Sequence, residues 1–353
     1  MRALVVSDRL TFTSDYAMPE PPAGEALIRV TRAGICNTDV EILKGYFGFK
    51  GVLGHEFVGV VERTERLEIG DSRLGNVLVG ETRTQSLIAN LQSPLPNLES
   101  PISIGDRVVG EINCVPCDSP SRNYFERAQD PMRNTLGIDR RDGAFADYTT
   151  LPIVNLHRVP DGVSDDEAVF VEPLAAACQI VEQVHVKPAD RVAMIGDGKL
   201  GLLCAQVLAT VPCDLIALGR HANKLDILRR RGIHTKVVSP DETMARQFDV
   251  VVECTGSAAG FDAARQMLRP RGTLVLKSTY QGLPQANLTA LVVDEITVVG
   301  SRCGPFAPAL RLLEQKRVDV QSLIHARFPL SQGAEAIAHA QKAGVLKVLL
   351  EIE

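Results

Sequence analysis

The sequence lacks any apolar run approaching the roughly 18 residues of a membrane span. It has no basic excess either. Lys and Arg total 38 against 43 Asp and Glu, giving a net charge of −5 and a pI of about 5.9. No basic patch points to a nucleic acid. The opening "MRALVVSD" has neither the long apolar stretch nor the small-residue cleavage site of a signal peptide, and it reads as a β-strand. No internal repeat is visible. What remains is an ordinary soluble balance, 45% hydrophobic and 23% charged. At 353 residues the chain exceeds one ordinary core, so about two domains are expected.

Cysteine is scattered rather than clustered, at positions 36, 114, 117, 178, 204, 213, 254 and 303. Several lie in apolar runs such as "LGLLCAQVLA", where Cys acts as a small hydrophobe. That usage suits a reducing, cytoplasmic compartment in which disulfides are not expected and thiolate metal ligands are possible. One pair stands out, Cys114 and Cys117 in "EINCVPCDSPSRNYFERAQDP". It can be half of a structural zinc site, a redox pair or two unrelated thiols.

Up to about residue 157 the chain is rich in short strands and turns, such as "EALIRVTRAGIC" and "FVGVVERTE". Residues 64–102 interrupt this part. They have weak periodicity and a Pro- and Ser-rich end, and read as an insertion, functional or mobile. From 158 the pattern changes. "SDDEAVFVEPLAAACQIVEQV" reads as one helix with Ser164 as N-cap and Asp165, Asp166 and Glu167 at its positive end. Strands "RVAMIG", "DLIALG" and "FDVVVECTG" then alternate with helices "KLGLLCAQVLAT", "NKLDILRRRG" and "FDAARQMLRP", followed by strands "GTLVLKS" and "ITVVGS". Continuous Val/Ile/Leu runs suit a parallel sheet wrapped by helices. The last fifty or so residues hold the helix "APALRLLEQK" and the strand "VLKVLLEIE". Too short for a domain, this tail is expected to complete one of the other two.

Within the α/β part, "GDGKLG" supplies Gly196, Gly198 and Gly201 as G-x-G-x-x-G. Such a motif is weak alone, but here it follows a strand and opens a helix. Gly196 permits the tight turn, Gly198 lets the backbone approach a pyrophosphate, and Gly201 permits close helix–sheet packing. The helix N-terminus offers free N–H groups to the anion. Lys199 and Leu200 within the motif, and Thr255 and Gly256 after the third strand, join the candidate cofactor set. An NAD site usually carries an acid at the end of the second strand. Here "DLIALG" ends in Gly219, then Arg220, His221 and, further on, Lys224. A small residue leaves room for a 2′-phosphate and Arg220 can grip it, so NADP(H) is expected over NAD(H).

"GICNTD" (34–39), "GHEF" (54–57) and "VEPLAAA" (171–177) are each weak singly. In order with "GDRV", "DGAFADY" and "GDGKLG" they resemble the zinc-dependent medium-chain dehydrogenase/reductase family over nearly the whole chain. The "GHE" and "EPL" strings look most like its polyol and sugar dehydrogenase branch. The resemblance implies an α/β fold: a GroES-like catalytic β domain (1–157), interrupted by a Rossmann doubly wound parallel-sheet domain (158–301), with a return to the first domain at 302–353. It implies zinc ligands at Cys36, His55 and Glu56, with Glu172 ligating zinc or holding its water. Asp39 is implied to orient the ligand His, and Thr38 to pass on the alcohol proton. Glu41 stands where many relatives carry a relay His. The expected protein is an enzyme with one catalytic Zn²⁺ per chain, transferring hydride between NADP(H) and a small alcohol or carbonyl (a polyol, sugar or secondary alcohol). A Lewis-acid zinc with an open position lets an alcohol ionise near neutral pH. A homodimer or homotetramer is expected, with no membrane or nucleic-acid partner. The rivals are a zinc-free quinone or enone reductase of the same superfamily and a non-catalytic NADP(H)-binding sensor or scaffold.

The family often carries a second zinc in a C-x-x-C-x-x-C-x7-C lobe after "GDRV". Counting from Cys114 and Cys117, the next positions are Pro120 and Ala128, and Asp130 stands where the last Cys commonly precedes a Pro. A closed tetrahedral site wants four good ligands. The lobe is therefore expected to be metal-free.

Overall fold

The structure is a computed structural model. It describes residues 1–45, 48–65, 102–116, 119–121, 123–239, 242, 246–279 and 285–352. The bulk of the expected 64–102 insertion, and Cys117, lie outside them.

The first part is built from strands β1 (Ala3–Val6), β2 (Leu10–Thr13) and β3 (Glu25–Gly34), helix α1 (Asn37–Leu43), then β4 (Gly51–Val52), β5 (Glu56–Thr64) and β6 (Arg107–Gly110). After β7 (Asn113–Cys114) come α2 (Tyr124–Gln129), β8 (Asn134–Leu136), β9 (Arg140–Arg141), β10 (Tyr148–Pro152) and β11 (Leu156–Arg158). A double helix follows, α3 (Asp165–Ala168) and α4 (Val171–Gln183). The α/β part then runs β12 (Arg191–Ile195), α5 (Lys199–Leu208), β13 (Asp214–Gly219), α6 (Ala222–Arg229), β14 (His234–Val237), β15 (Phe248–Glu253), α7 (Ala258–Met267), β16 (Leu268–Leu276), α8 (Leu288–Val293) and β17 (Thr297–Gly300). The chain closes with α9 (Phe306–Glu314), β18 (Ile324–Pro329), α10 (Gly333–Ala340) and β19 (Lys347–Glu351).

Strands β12 to β17 form one parallel sheet in the order β14-β13-β12-β15-β16-β17. The order reverses beside β12, and that crevice at the carboxyl strand ends is where such sheets bind dinucleotides. The main sheet of the first part runs β11-β6-β5-β3-β19-β18, with β10 also on β3. Strand β19, from the far end of the sequence, pairs antiparallel with β3. The C-terminal tail therefore completes the first sheet. One core cluster fills the space under that sheet and another packs α4, α5 and α9 against the parallel sheet.

The expected single helix over 164–184 is two. Ser164 caps α3 as expected, its hydroxyl accepting from Glu167 N while the Glu167 carboxylate accepts from Ser164 N at 2.9 Å. The break lies at Val169–Phe170, and Pro173 explains it. In a continuous helix Pro173 has no N–H for the carbonyl four residues back, and its ring crowds that carbonyl. In the first turn of a new helix the missing donor costs nothing.

Candidate active site

Strand pairing brings the first candidates together. Gly34, the last residue of β3, stands opposite Glu56, the first of β5. Cys36, two residues past one paired end, and His55, next to the other, therefore meet at one corner although they stand 19 positions apart. A Cβ on Gly34 would lie 2.7 Å from Glu56 Oε2 and 2.6 Å from Val169 Cγ1, so glycine makes the room for that carboxylate. A thiol, an imidazole and a carboxylate, from Cys36, His55 and Glu56, offer donor atoms all within 4.8 Å of one another.

Asp39 holds the corner in shape. Its Oδ2 accepts from the Cys36 N–H at 2.8 Å, and its Oδ1 lies 3.3 Å from His55 Nδ1. Both side chains are buried. Burial is the largest influence on His55 and disfavours its charge, but Asp39, then Cys36, outweigh it and push the imidazole well above its ordinary value. Anionic donors thus favour a cation among them. That donor chemistry fits a zinc ion held by Cys36, His55 and Glu56, with Asp39 fixing the ring from behind.

Glu172, in the first turn of α4, lies outside the group of three. It is near enough that burial raises its carboxyl to about 7, with His55 opposing and Glu56 reinforcing the shift. Thr38 Oγ1 stands 3.6 Å from Cys36 Sγ. Glu41 pairs with Lys44 at 2.9 Å, on the outer side of α1.

Lys347 was not among the sequence candidates. It is fully buried on β19, its ammonium paired with Glu56 Oε2 and 5.5 Å from the Phe170 ring centroid. The available signal was a lysine standing alone in the apolar string "VLKVLLEI".

The cofactor turn is organised by its glycines. Gly196 has φ +120°, and a Cβ there would lie 2.6 Å from the Cys254 carbonyl oxygen. A Cβ on Gly201 would lie 2.1 Å from the Gly196 oxygen, so α5 packs directly on the turn. Gly198, the N-cap of α5, faces open space. Lys199 and Leu200 follow, half-buried. Lys199 crosses to the other part of the chain and donates to the Ile35 carbonyl at 3.0 Å, beside Cys36. Burial, then Lys347, push its ammonium below the usual lysine range. Thr255 donates to Glu253 Oε1 at 2.5 Å, and Gly256, at φ +71°, donates to Ser278 Oγ at 2.8 Å.

At the end of β13 the structure corrects one expectation. The space beside Gly219 is not open for a phosphate. A Cβ on Gly219 would lie 2.6 Å from Asp197 Cβ and Oδ2. Asp197, the second residue of "GDGKLG", reaches across from the glycine-rich turn. Its Oδ2 accepts from the Arg220 and His221 N–H groups, both at 2.7 Å, and lies 3.0 Å from His221 Nδ1. Burial raises the Asp197 carboxyl, but these contacts with His221 and Arg220 outweigh it and hold the group below its ordinary value. The Arg220 side chain points to solvent and Lys224 is half-buried on α6.

In the lobe after β6 the described residues are tied together by Asp130. Cys114 is fully buried in the core, and burial pushes its thiol up to about 12. Asp130 accepts from Ser119 Oγ at 2.7 Å, Ser121 Oγ at 2.8 Å and Met132 N at 2.7 Å. The Ser119 bond is the largest cause holding the Asp130 carboxyl below its ordinary value. Pro120 and Ala128 bring no ligand atom.

Two family models match the chain, an alcohol dehydrogenase GroES-like domain over residues 22–86 and a zinc-binding dehydrogenase over residues 200–315. A sorbitol dehydrogenase of Halalkalibacterium halodurans is 28% identical, with 99% of each chain covered. An alcohol dehydrogenase of Cupriavidus necator is 27% identical over 96% of this chain and 94% of its own. Among solved structures, a zinc-binding dehydrogenase from Sinorhizobium meliloti bound to NADP has a TM-score of 0.80 at 23% identity, covering 99% of this chain and 98% of its own. An Escherichia coli alcohol dehydrogenase complexed with NADH has a TM-score of 0.79 at 21% identity, covering 99% of each chain. The fold and these matches define a GroES-like domain joined to a Rossmann domain. The chain belongs to the medium-chain dehydrogenase/reductase family of oxidoreductases.

Among the described residues no helix is long and apolar enough to cross a membrane.

Proposed function

We propose that the chain is a zinc-dependent dehydrogenase that interconverts a small alcohol and its carbonyl with NADP(H). The observation that carries this reading is the convergence of Cys36, His55 and Glu56 donor atoms within 4.8 Å, beside a cofactor turn whose Lys199 touches the same corner. Zinc, when bound, supplies a Lewis acid next to the reacting oxygen. The chain does the rest. Asp39 fixes the His55 ring, and the Asp39–Cys36 bond fixes the loop that carries the thiol. Thr38 offers a hydroxyl to take the alcohol proton towards solvent. Glu172 gives the site a further carboxylate on the α4 side. Gly198 leaves the backbone of α5 open to the cofactor's pyrophosphate. Relatives named as sorbitol, erythritol/L-threitol and alcohol dehydrogenases support a substrate of that kind.

NADP(H) is favoured by the Arg220 guanidinium, which lies in solvent at the end of β13, with His221 and Lys224 nearby. Because Asp197 fills the space beside Gly219, the 2′-phosphate would be gripped from the outer side. Arg220→Ala should lower kcat/KM for NADPH about tenfold or more and leave NADH nearly unchanged. Equal efficiencies for the two cofactors in the unaltered protein would refute the preference.

A homo-oligomer is supported by the β17 edge of the parallel sheet. Leu288, Val292, Val293 and Val298 are all exposed there, and α8 buries none of its residues. An edge strand with an apolar neighbour is a ready template for a second copy.

The test is an NADPH-oxidation screen over aldehydes, ketones and keto-sugars, with zinc measured on the same sample. Turnover that tracks zinc content is expected. Cofactor binding with no turnover of any compound would favour the sensor or scaffold. Full turnover without zinc would favour the zinc-free reductase.

A further inference from the structure

A narrow cleft adjoins the candidate metal corner. Glu172 lines it, with Glu111, Asn113, Tyr124 and Cys303 as the other polar groups and Ile112 and Phe306 as apolar walls. The space open within it is about 10 Å³, the size of one water or hydroxyl group. Most polar groups around it are already committed. The Tyr124 hydroxyl donates to Gln179 Oε1 at 2.9 Å. Glu111, also at the wall, is bound by Arg127 and lies 2.9 Å from His157 Nε2.

Asn113 is different. It is 5% exposed. Its backbone oxygen accepts from Asn155 at 2.8 Å, and its amide nitrogen donates to Cys303 Sγ at 3.5 Å. Its amide oxygen is buried and has no partner among the described residues. A buried, unpaired amide acceptor is costly. Turned end for end, the amide would still have one pole at Cys303 and the other free. A hydroxyl serves either pole, because it both donates and accepts.

We propose that Asn113 selects the substrate: its amide takes the second hydroxyl of a vicinal diol, next to the hydroxyl that is oxidised. The inference rests on the proposed function and adds to it a substrate class and a residue that reads it. The cleft begins at Glu172, the carboxylate that the proposed function sets on the α4 side of the metal corner. An apolar chain end would leave the amide unpaired, whereas a hydroxyl pairs it. A site with a hydrogen bond to offer discriminates against the analogue that lacks the group.

The test uses 2-propanol and 1,2-propanediol, which differ by one hydroxyl, on the zinc-loaded full chain with NADP⁺. In the unaltered protein the diol should have the higher kcat/KM, by roughly 10- to 100-fold. Asn113→Leu, close to Asn in shape, should abolish that preference by lowering kcat/KM for the diol more than for 2-propanol, until the two values meet. A second reading needs no turnover: 1,2-propanediol should raise the melting temperature of the unaltered chain more than 2-propanol does, and Asn113→Leu should lose the difference. Equal values for the two alcohols in the unaltered protein, or a preference retained by the variant, would overturn the inference while the proposed activity stands. Absence of turnover on every alcohol and carbonyl tried would overturn the proposed activity, and this inference with it. The comparison within the unaltered protein holds even if the variant does not fold.

Discussion

Replacing Lys347 by Met should test how the candidate metal corner is held together. Both partners of the Lys347–Glu56 pair have side chains 1% exposed. Burial works against the ammonium, but Glu56, then Cys36, outweigh it and hold Lys347 above its ordinary value. Met keeps the length and apolar bulk of the stem while removing the charge. What remains is Glu56, buried beside Val169 with its main partner gone. Removing one partner of a buried pair costs about 3–5 kcal/mol. Loss of the Phe170 contact at 5.5 Å belongs to the same penalty. A chain of 353 residues has an unfolding entropy near 0.7 kcal/mol/K, at about 2.1 cal/mol/K per residue, so the melting temperature should fall by roughly 4–7 °C. The assay is thermal unfolding of chelator-treated protein, since a bound cation would itself neutralise Glu56. The decisive arm is the double variant Glu56→Gln with Lys347→Met. Neutralising both groups removes the stranded charge, so the double variant should be more stable than Lys347→Met alone. A fall under 1 °C for Lys347→Met, or a double variant less stable than the single one, would refute this account of the corner.

Metal analysis of purified protein should give one zinc per chain, with Cys36→Ser and His55→Ala losing zinc and turnover together; two zinc per chain with Cys114 as a ligand would overturn the reading of the lobe. Asp130→Asn should raise amide exchange across 119–133, where the carboxylate now accepts three bonds. The sign is that of a depressed acid. Its contribution is present above the unfolded carboxylate value near 4 and is lost as pH falls through the lower folded one, so the unaltered lobe should loosen only in acid. Val298→Asp, on the exposed edge strand, should shift the protein to a smaller species in light scattering; an unchanged mass would remove that edge as the contact between copies.

Much of the architecture was legible because its signals are local. The strands and helices expected from 191 onward are found in that order, since strands covered on both faces carry continuous apolar runs, while the short edge strand β14 and helix α8, which carry no such run of their own type, were not foreseen. The short motifs marked the corner through residue type and order. The sequence could not show that β3 and β5 set Gly34 opposite Glu56, because pairing register is a long-range property. Lys347 was missed for the same reason. Nothing local says that a strand nearly 300 residues later returns beside Glu56.

Asp197 shows how a correct observation can lead to a wrong mechanical reason. Gly219 at the end of β13 was read as space for a phosphate. The residue is small because another side chain already occupies that space. Its occupant came from the turn 22 residues earlier, inside the very motif that marked the cofactor site. In that motif Asp197 was given no task, although it binds the two N–H groups that open the next loop. The consequence reaches function. A carboxylate held in its charged form at this point opposes a nearby phosphate, while Arg220 attracts one. On the proposed function, the cofactor preference would be a balance between two opposed charges. Asp197→Asn should shift it towards NADPH, whereas Arg220→Ala should shift it towards NADH, when kcat/KM is measured for both cofactors. If Asp197→Asn weakens both cofactors alike, its role is to shape the loop and the charge argument fails.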